Sequence, residues 1–176
     1  MYDVRTYSVA RVLKDGTKAT IRAVCSDDRE RIVTAFRNLE RETVYSRFFT
    51  FKDVLREEEL ERIAAIDFVR NVMLVVTAVA DNDEIVIGSG SYSAYEATDG
   101  ALAAEVAFIV EEDYQGCGVA SSLLAHLATI ARDHGIARFE AEVLPENRPM
   151  LRVFARSGLP MHRQRVDAVV RLSLAL

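Results

Sequence analysis

The chain has 176 residues, half of them apolar and 28% charged, with only 8 Gly and 3 Pro, which excludes collagen-like, low-complexity and disordered classes. One compact domain spanning 1–176 is expected. Acidic residues (27) outnumber Lys plus Arg (22), and the net charge of -5 disfavours duplex nucleic acid or an anionic membrane surface as partner.

In chain order, Asp15-Gly16 forms a turn, and Lys18 to Val24 alternates apolar and polar residues as the first strand. Asp27 followed by Glu30 has the form of a capping box, and Ile32, Val33, Phe36 and Leu39 recur with helical period, predicting a helix from about Asp28 to Arg41. The aromatic stretch Tyr45 to Phe49 reads as a connection. A second helix follows around Leu55, Leu60, Ile63 and Ile66, with its glutamates on a solvated face. Val72 to Ala80 is apolar on both faces and predicts a strand buried on both sides; it is less than half the length of a membrane span, which takes about 20 residues. The N-terminal residues lack the apolar core of a signal peptide, so a cytoplasmic location is expected.

A turn at Asp81 to Glu84 leads to strands at Ile85 to Tyr92 and Ala103 to Val110. A helix from Val119 closes at His134-Gly135. A strand at Arg138 to Leu144, a helix from Arg148 to Ser157 closed by Gly158, and a strand from Val166 to Leu176 complete the chain. This order predicts an α/β (α+β) fold: a mixed, mostly antiparallel central sheet with one strand-helix-strand crossover, flanked by helices.

Chemistry concentrates in Ala104 to Ser121. A buried strand runs through an acidic turn into Gln115-Gly116-Cys117-Gly118-Val119-Ala120-Ser121 and straight into an amphipathic helix. Two glycines at the mouth of a helix let backbone approach a ligand closely, and the first N–H groups of the helix attract a phosphate. The glycines alone leave a phosphate cradle and a plain tight turn both open. A Walker loop is excluded because no Gly-Lys-Ser/Thr step is present, and the dinucleotide fingerprint would need glycine where Ser121 stands.

Gln115, Gly118 and Ala120 resemble the cofactor motif of the GNAT superfamily of acyl-CoA-dependent N-acyltransferases. The likeness continues in Asn147-Arg148-Pro149-Met150 and in Ser157-Gly158-Leu159. The resemblance implies a GNAT fold with acetyl-CoA as cosubstrate, bound through Phe108, Ile109, Val110, Gln115, Gly116, Cys117, Gly118, Val119, Ala120, Ser121, Asn147, Met150 and Phe154. On the strand, backbone groups of Phe108 to Val110 would pair with the pantetheine amides, and N–H groups there would polarise the thioester carbonyl. Phe154 departs from the family, many of whose members carry a tyrosine there to protonate the leaving thiolate. That route is absent here.

Within the superfamily the chain looks most like the catalytic domain of bacterial Pat-type protein lysine acetyltransferases. The likeness runs through Lys14-Asp15-Gly16-Thr17, Tyr45, Arg47-Phe48-Phe49, Ile66-Asp67-Phe68, Ala104-Glu105-Val106-Ala107 and Glu146-Asn147-Arg148-Pro149-Met150. Larger members carry further domains, and the chain resembles the catalytic domain without them. The resemblance implies a protein lysine as acceptor, for example on an AMP-forming acyl-CoA synthetase, and places the general base at Glu105. Glu105 is the only acid in a strand otherwise built from Ala, Val, Phe and Ile, where loss of hydration would make it a better proton acceptor. Its alternative is a surface-facing strand glutamate. For the acceptor, a small-molecule amine or a peptide N-terminus stays open, as does a silent acyl-CoA-binding sensor module.

Other residues carry weaker signals. Cys25 and Cys117 cannot form a disulfide framework and have no partner at metal-ligand spacing, so they read as free thiols with no metal site implied. Cys117 is a spacer in the motif rather than a nucleophile. His126 and His134 read as solvated, and His162 as a loop residue. Arg148, Arg152 and Arg156 share a helix face, either binding phosphate or solvated.

Overall fold

A computed structural model describes residues 3–176. Eight strands form one sheet: β1 (Ser8–Val12), β2 (Lys18–Ala23), β3 (Asn71–Ala80), β4 (Asp83–Glu96), β5 (Leu102–Val110), β6 (Arg138–Val143), β7 (Met161–Val166) and β8 (Val169–Ala175). Their spatial order is β1-β2-β3-β4-β5-β6-β8-β7, and only the β5–β6 pair is parallel. The five α-helices are α1 (Arg29–Arg37), α2 (Arg41–Phe48), α3 (Glu57–Ala64), α4 (Val119–Asp133) and α5 (Arg148–Ala155). Helix α4 is the crossover between β5 and β6, as a parallel pair requires.

The sheet reflects its sequence pattern. Strand β3 is buried from Val72 to Ala78 because helices cover both of its faces. Asp81 and Asn82 both adopt positive φ, the conformation a two-residue hairpin demands. In β4, Gly88 and Gly90 point at α4. A Cβ on Gly88 would lie 2.9 Å from the Val119 side chain, and one on Gly90 would lie 2.8 Å from the Phe108 ring and 3.1 Å from Leu127. These two glycines let α4 press directly on the sheet. Gly90→Ala should therefore overpack this layer and destabilise the protein by about 1–3 kcal/mol, read as a fall in thermal midpoint of roughly 2–4 °C per kcal/mol. An unchanged midpoint would mean that α4 moves away freely.

Four expectations are corrected. A strand, β1, precedes Lys18 and pairs with β2 across the Asp15-Gly16 turn, its outward residues being too mixed to alternate visibly. The helix expected from Asp28 to Arg41 ends at Arg37, and Tyr45 to Phe48 belong to a separate helix, α2, rather than to a connection. The last strand is a hairpin, β7 and β8, turning at Asp167 with positive φ; His162 sits on exposed β7. The cap before α1 is not Asp27 with Glu30. Asp28 instead accepts the Cys25 N–H at 2.9 Å.

The histidines also differ from expectation. His126 on α4 and His134 at its C-cap are half-buried; Tyr7 Oη meets His126 Nδ1, and Tyr92 Oη lies 2.8 Å from His134 Nδ1. Burial pushes His126 below its ordinary pKa. Among the glutamates of α3, Glu59 is the exception to a solvated face: it is half-buried, pairs with Lys52 and accepts the Arg56 N–H at 2.8 Å.

Candidate active site

The parallel pairing of β5 with β6 covers only Ala103↔Arg138, Ala104↔Phe139 and Glu105↔Glu140. Beyond Glu105, β5 stays paired with β4 as far as Val110, while β6 stays paired with β8 as far as Val143. The two strands therefore part, and the β5 backbone from Val106 onward faces a gap instead of a ladder. Main-chain donors and acceptors left open along such an edge suit an added extended segment. An open cleft of about 920 Å³ occupies the gap. It is lined from β5 by Glu105 to Val110, from β6 by Ala141 to Val143, and from α5 by Met150, Val153 and Phe154.

Gln115, Gly116, Gly118, Val119, Ala120 and Ser121 line one end of the cleft. Gly116 and Gly118 take φ of +76° and +91°, and Gly118 is the N-cap of α4. The N–H groups of Gly118, Val119, Ala120 and Ser121 have no backbone acceptor among the described residues, so they are free for an anion beside the positive end of a helix of 15 residues. The Gln115 side chain holds this loop in place, donating to the Val110 carbonyl at 3.0 Å and to Thr43 Oγ1 at 3.3 Å. Lys14, Arg152 and Arg156 add positive charge along the same cleft, and none of the three is ion-paired among the described residues. Arg148, on the same helix, does not line it.

The glycine requirement at position 118 is conformational, because a Cβ there would meet only Lys14 methylenes at 3.6 Å. Gly118→Ala must then hold a left-handed backbone or shift the first N–H groups of α4, at a cost of roughly 1–2 kcal/mol. Acetyl-CoA affinity should fall by about tenfold in a folded variant, measured by calorimetry. Undiminished affinity would show that these N–H groups do not meet the ligand.

Cys117 departs from its expected place. It does not line the cleft, its side chain packs against the main core, and its carbonyl accepts the Lys14 N–H at 3.2 Å. Asn147 caps α5 by accepting the Met150 N–H at 3.3 Å and reaches the cleft wall. Phe154 is buried, with its ring edge-on to Phe108 at 5.9 Å, and offers no polar atom.

Glu105 stands where the strands begin to part. It is exposed on the cleft wall, so the burial expected from its apolar strand is not present; the flanking apolar residues Ala104 and Val106 point to the opposite face, toward α4. Glu105 shares its face with half-buried Ala107 and Ile109. The registers Ser93↔Glu105 and Glu105↔Glu140 place these three residues in one row. Tyr95 donates to Glu140, and Arg138 bridges Glu140 and Asp99 at 2.9 and 2.8 Å. Burial and the Glu140 carboxylate push the Tyr95 hydroxyl up to about 12, so it remains a proton donor at neutral pH.

Helix α2 forms the facing wall, with Thr43, Tyr45 and Arg47. Sequence reading missed this role because it treated Tyr45 to Phe49 as a connection; the i, i+4 spacing of Thr43 and Arg47 was the available signal.

A cleft between parted parallel strands, with a helix N-terminus at one end and a carboxylate at the other, suits an extended ligand that carries an anionic group. The family model "Acetyltransferase (GNAT) family" matches residues 34–159. The chain belongs to this family. It is 31% identical over 150 residues to "Acetyltransferase Pat" of Mycolicibacterium smegmatis, a match covering 85% of this chain and 44% of that protein. This chain thus spans less than half the length of that relative. The GNAT domain of S. lividans PAT superposes with a TM-score of 0.84 at 37% identity, over 96% of this chain and 97% of that one. The Salmonella typhimurium yncA structure, described with its cofactor acetyl-CoA, shares the fold with a TM-score of 0.68 at 19% identity, covering 90% and 92% of the two chains.

Proposed function

We propose that this protein transfers the acetyl group of acetyl-CoA to a lysine side chain of a protein, with Glu105 as general base. The observation that carries this reading is the position of Glu105 at the last paired register of β5 and β6, on the wall of the cleft that opens there. Likeness to proteins named Pat supports the acceptor class.

A lysine side chain enters as an ammonium, with an ordinary pKa near 10.4, and is not yet a nucleophile. Glu105 takes its proton, directly or through a water, and the freed nitrogen attacks the thioester carbon. Bound acetyl-CoA supplies that carbon and a thiolate leaving group. An N–C bond forms as the C–S bond breaks, and the amide nitrogen sheds its remaining extra proton. Backbone N–H groups on the open edge of β5 stabilise charge on the carbonyl oxygen. Because Phe154 has no hydroxyl, the thiolate takes its proton from solvent in the cleft.

The decisive experiment incubates the protein with acetyl-CoA and an AMP-forming acyl-CoA synthetase, following free thiol and mapping acetylated residues by mass spectrometry. Thiol release with stoichiometric acetylation of a defined lysine is the expected result. Thiol release with no acetylated lysine on any protein tested would overturn the acceptor class.

A further inference from the structure

We propose that Arg47 reads a carboxylate on the acceptor, so that the lysine modified at this site lies beside an acidic residue of its own chain. The inference rests on the reading of the acceptor as a protein lysine. Five cations of the described chain are half-buried: Arg22, Arg31, Arg47, Lys52 and Arg138. Four of them have a carboxylate partner within 4.0 Å: Asp28 for Arg22 and Arg31, Glu59 for Lys52, and Asp99 and Glu140 for Arg138. Arg47 has neither an ion pair nor a hydrogen bond among the described residues, and its guanidinium only rests on the Phe48 ring, 4.9 Å from the centroid.

A cation held out of water without a partner is costly, and burial pulls the Arg47 guanidinium below its ordinary pKa against the distant pull of Glu105 and Glu59. Arg47 lines the same cleft as Glu105, yet the two are too far apart to pair, which leaves room between them for a ligand. A guanidinium presents a planar fork suited to a carboxylate.

The position of Arg47 favours the acceptor over the cofactor phosphates. Thr43 on α2 is tied to the cradle loop through Gln115, and Arg47 lies one helical turn, about 6 Å, further along the same face. The free N–H groups of α4 already answer the phosphates at the cradle end. An acceptor segment carrying Lys beside Asp or Glu would set its ammonium against Glu105 and its carboxylate against Arg47. Exposed Tyr45, Phe49 and Phe51 at the rim supply apolar area for the rest of that segment.

The test compares peptides with one lysine and either Glu or Gln at each position within two residues of it, using wild type, Arg47→Gln and Arg47→Lys. For wild type, kcat/KM should favour the best-placed Glu peptide over its Gln counterpart by about tenfold or more. In Arg47→Gln the ratio should collapse toward one, and Arg47→Lys, which keeps the charge and loses the fork, should fall between. Acetyl-CoA affinity by calorimetry should be the same in all three. An equal loss on both peptides, or a weakened acetyl-CoA affinity, would overturn the assignment in favour of a structural or cofactor role. If Arg47→Gln does not fold, the wild-type ratio and Arg47→Lys decide. Peptide acetylation with no preference for Glu overturns only the role of Arg47, whereas failure of wild type to acetylate any lysine peptide or protein overturns the acceptor reading itself.

Discussion

Replacing Glu105 with Gln should lower kcat/KM by roughly 10²- to 10⁴-fold at neutral pH, the range expected when a general base is lost. Gln keeps the shape of the side chain and its hydrogen-bonding reach but cannot take a proton. Acetyl-CoA affinity should be nearly unchanged, since the cradle of Gly116 to Ser121 lies at the other end of the cleft. The deficit should shrink as pH rises toward 10, where a growing share of the acceptor amine is already free. Rate measurements between pH 7 and 10 with a lysine acceptor check both points. A deficit constant with pH would make Glu105 a positioning group, and near-normal activity at neutral pH would remove it from the mechanism.

Asp28→Asn should be the most destabilising conservative change, at about 3 kcal/mol. Asp28 is fully buried and receives two hydrogen bonds from Arg22, both at 2.7 Å, one from the Cys25 N–H at 2.9 Å and one from Arg31 at 3.3 Å. Burial alone would raise its pKa, but the Arg22 hydrogen bonds and the Cys25 N–H outweigh burial and hold it at about 2, below its ordinary 3.8. A carboxyl with a lowered folded pKa stabilises the fold fully above its unfolded pKa. That contribution is lost as pH falls through the folded value, so wild type should weaken between about pH 4 and pH 2. The Asn variant leaves Arg22 with Glu84, at 2.7 Å, as its one carboxylate partner among the described residues, beside the Ala23 carbonyl at 3.1 Å. It should lose roughly 6–12 °C in thermal midpoint at neutral pH and show a flatter pH dependence in the acid window. A midpoint within 2 °C of wild type would mean that Glu84 and the Ala23 carbonyl satisfy Arg22 without Asp28.

The two predictions differ in how far the sequence foresaw them. Gln115, Gly118 and Asn147 were placed correctly because each sits in a local context with its own rules, a turn into a helix or a helix cap, whereas Glu105, in mid-strand, was singled out by the resemblance. The β5-α4-β6 crossover was legible for the same reason, since apolar periodicity switches from two to 3.6 and back within one stretch of chain. Strand β1, helix α2 and the β7–β8 hairpin were not. Their outward faces are polar or mixed, so their conformation is settled by neighbours far along the chain: β1 by β2, β7 by β8, and α2 by the Glu112 carboxylate at its first turn and the Gln115 side chain at its middle.

Exposure likewise belongs to the tertiary structure. An apolar strand implied burial for Glu105, yet alternation sends its neighbours Ala104 and Val106 under α4 while Glu105 faces the cleft. Composition gave no warning that Arg47 would lack the partner every other half-buried cation has, because pairing depends on which carboxylates the fold brings within 4.0 Å. The sequence by itself determined the crossover, written in short-range spacing, and carried the family in motifs that resemble its pattern. Only the tertiary structure decided where β5 and β6 part, which wall faces Glu105 and which charges are left for a ligand, since each depends on contacts between residues distant in the chain.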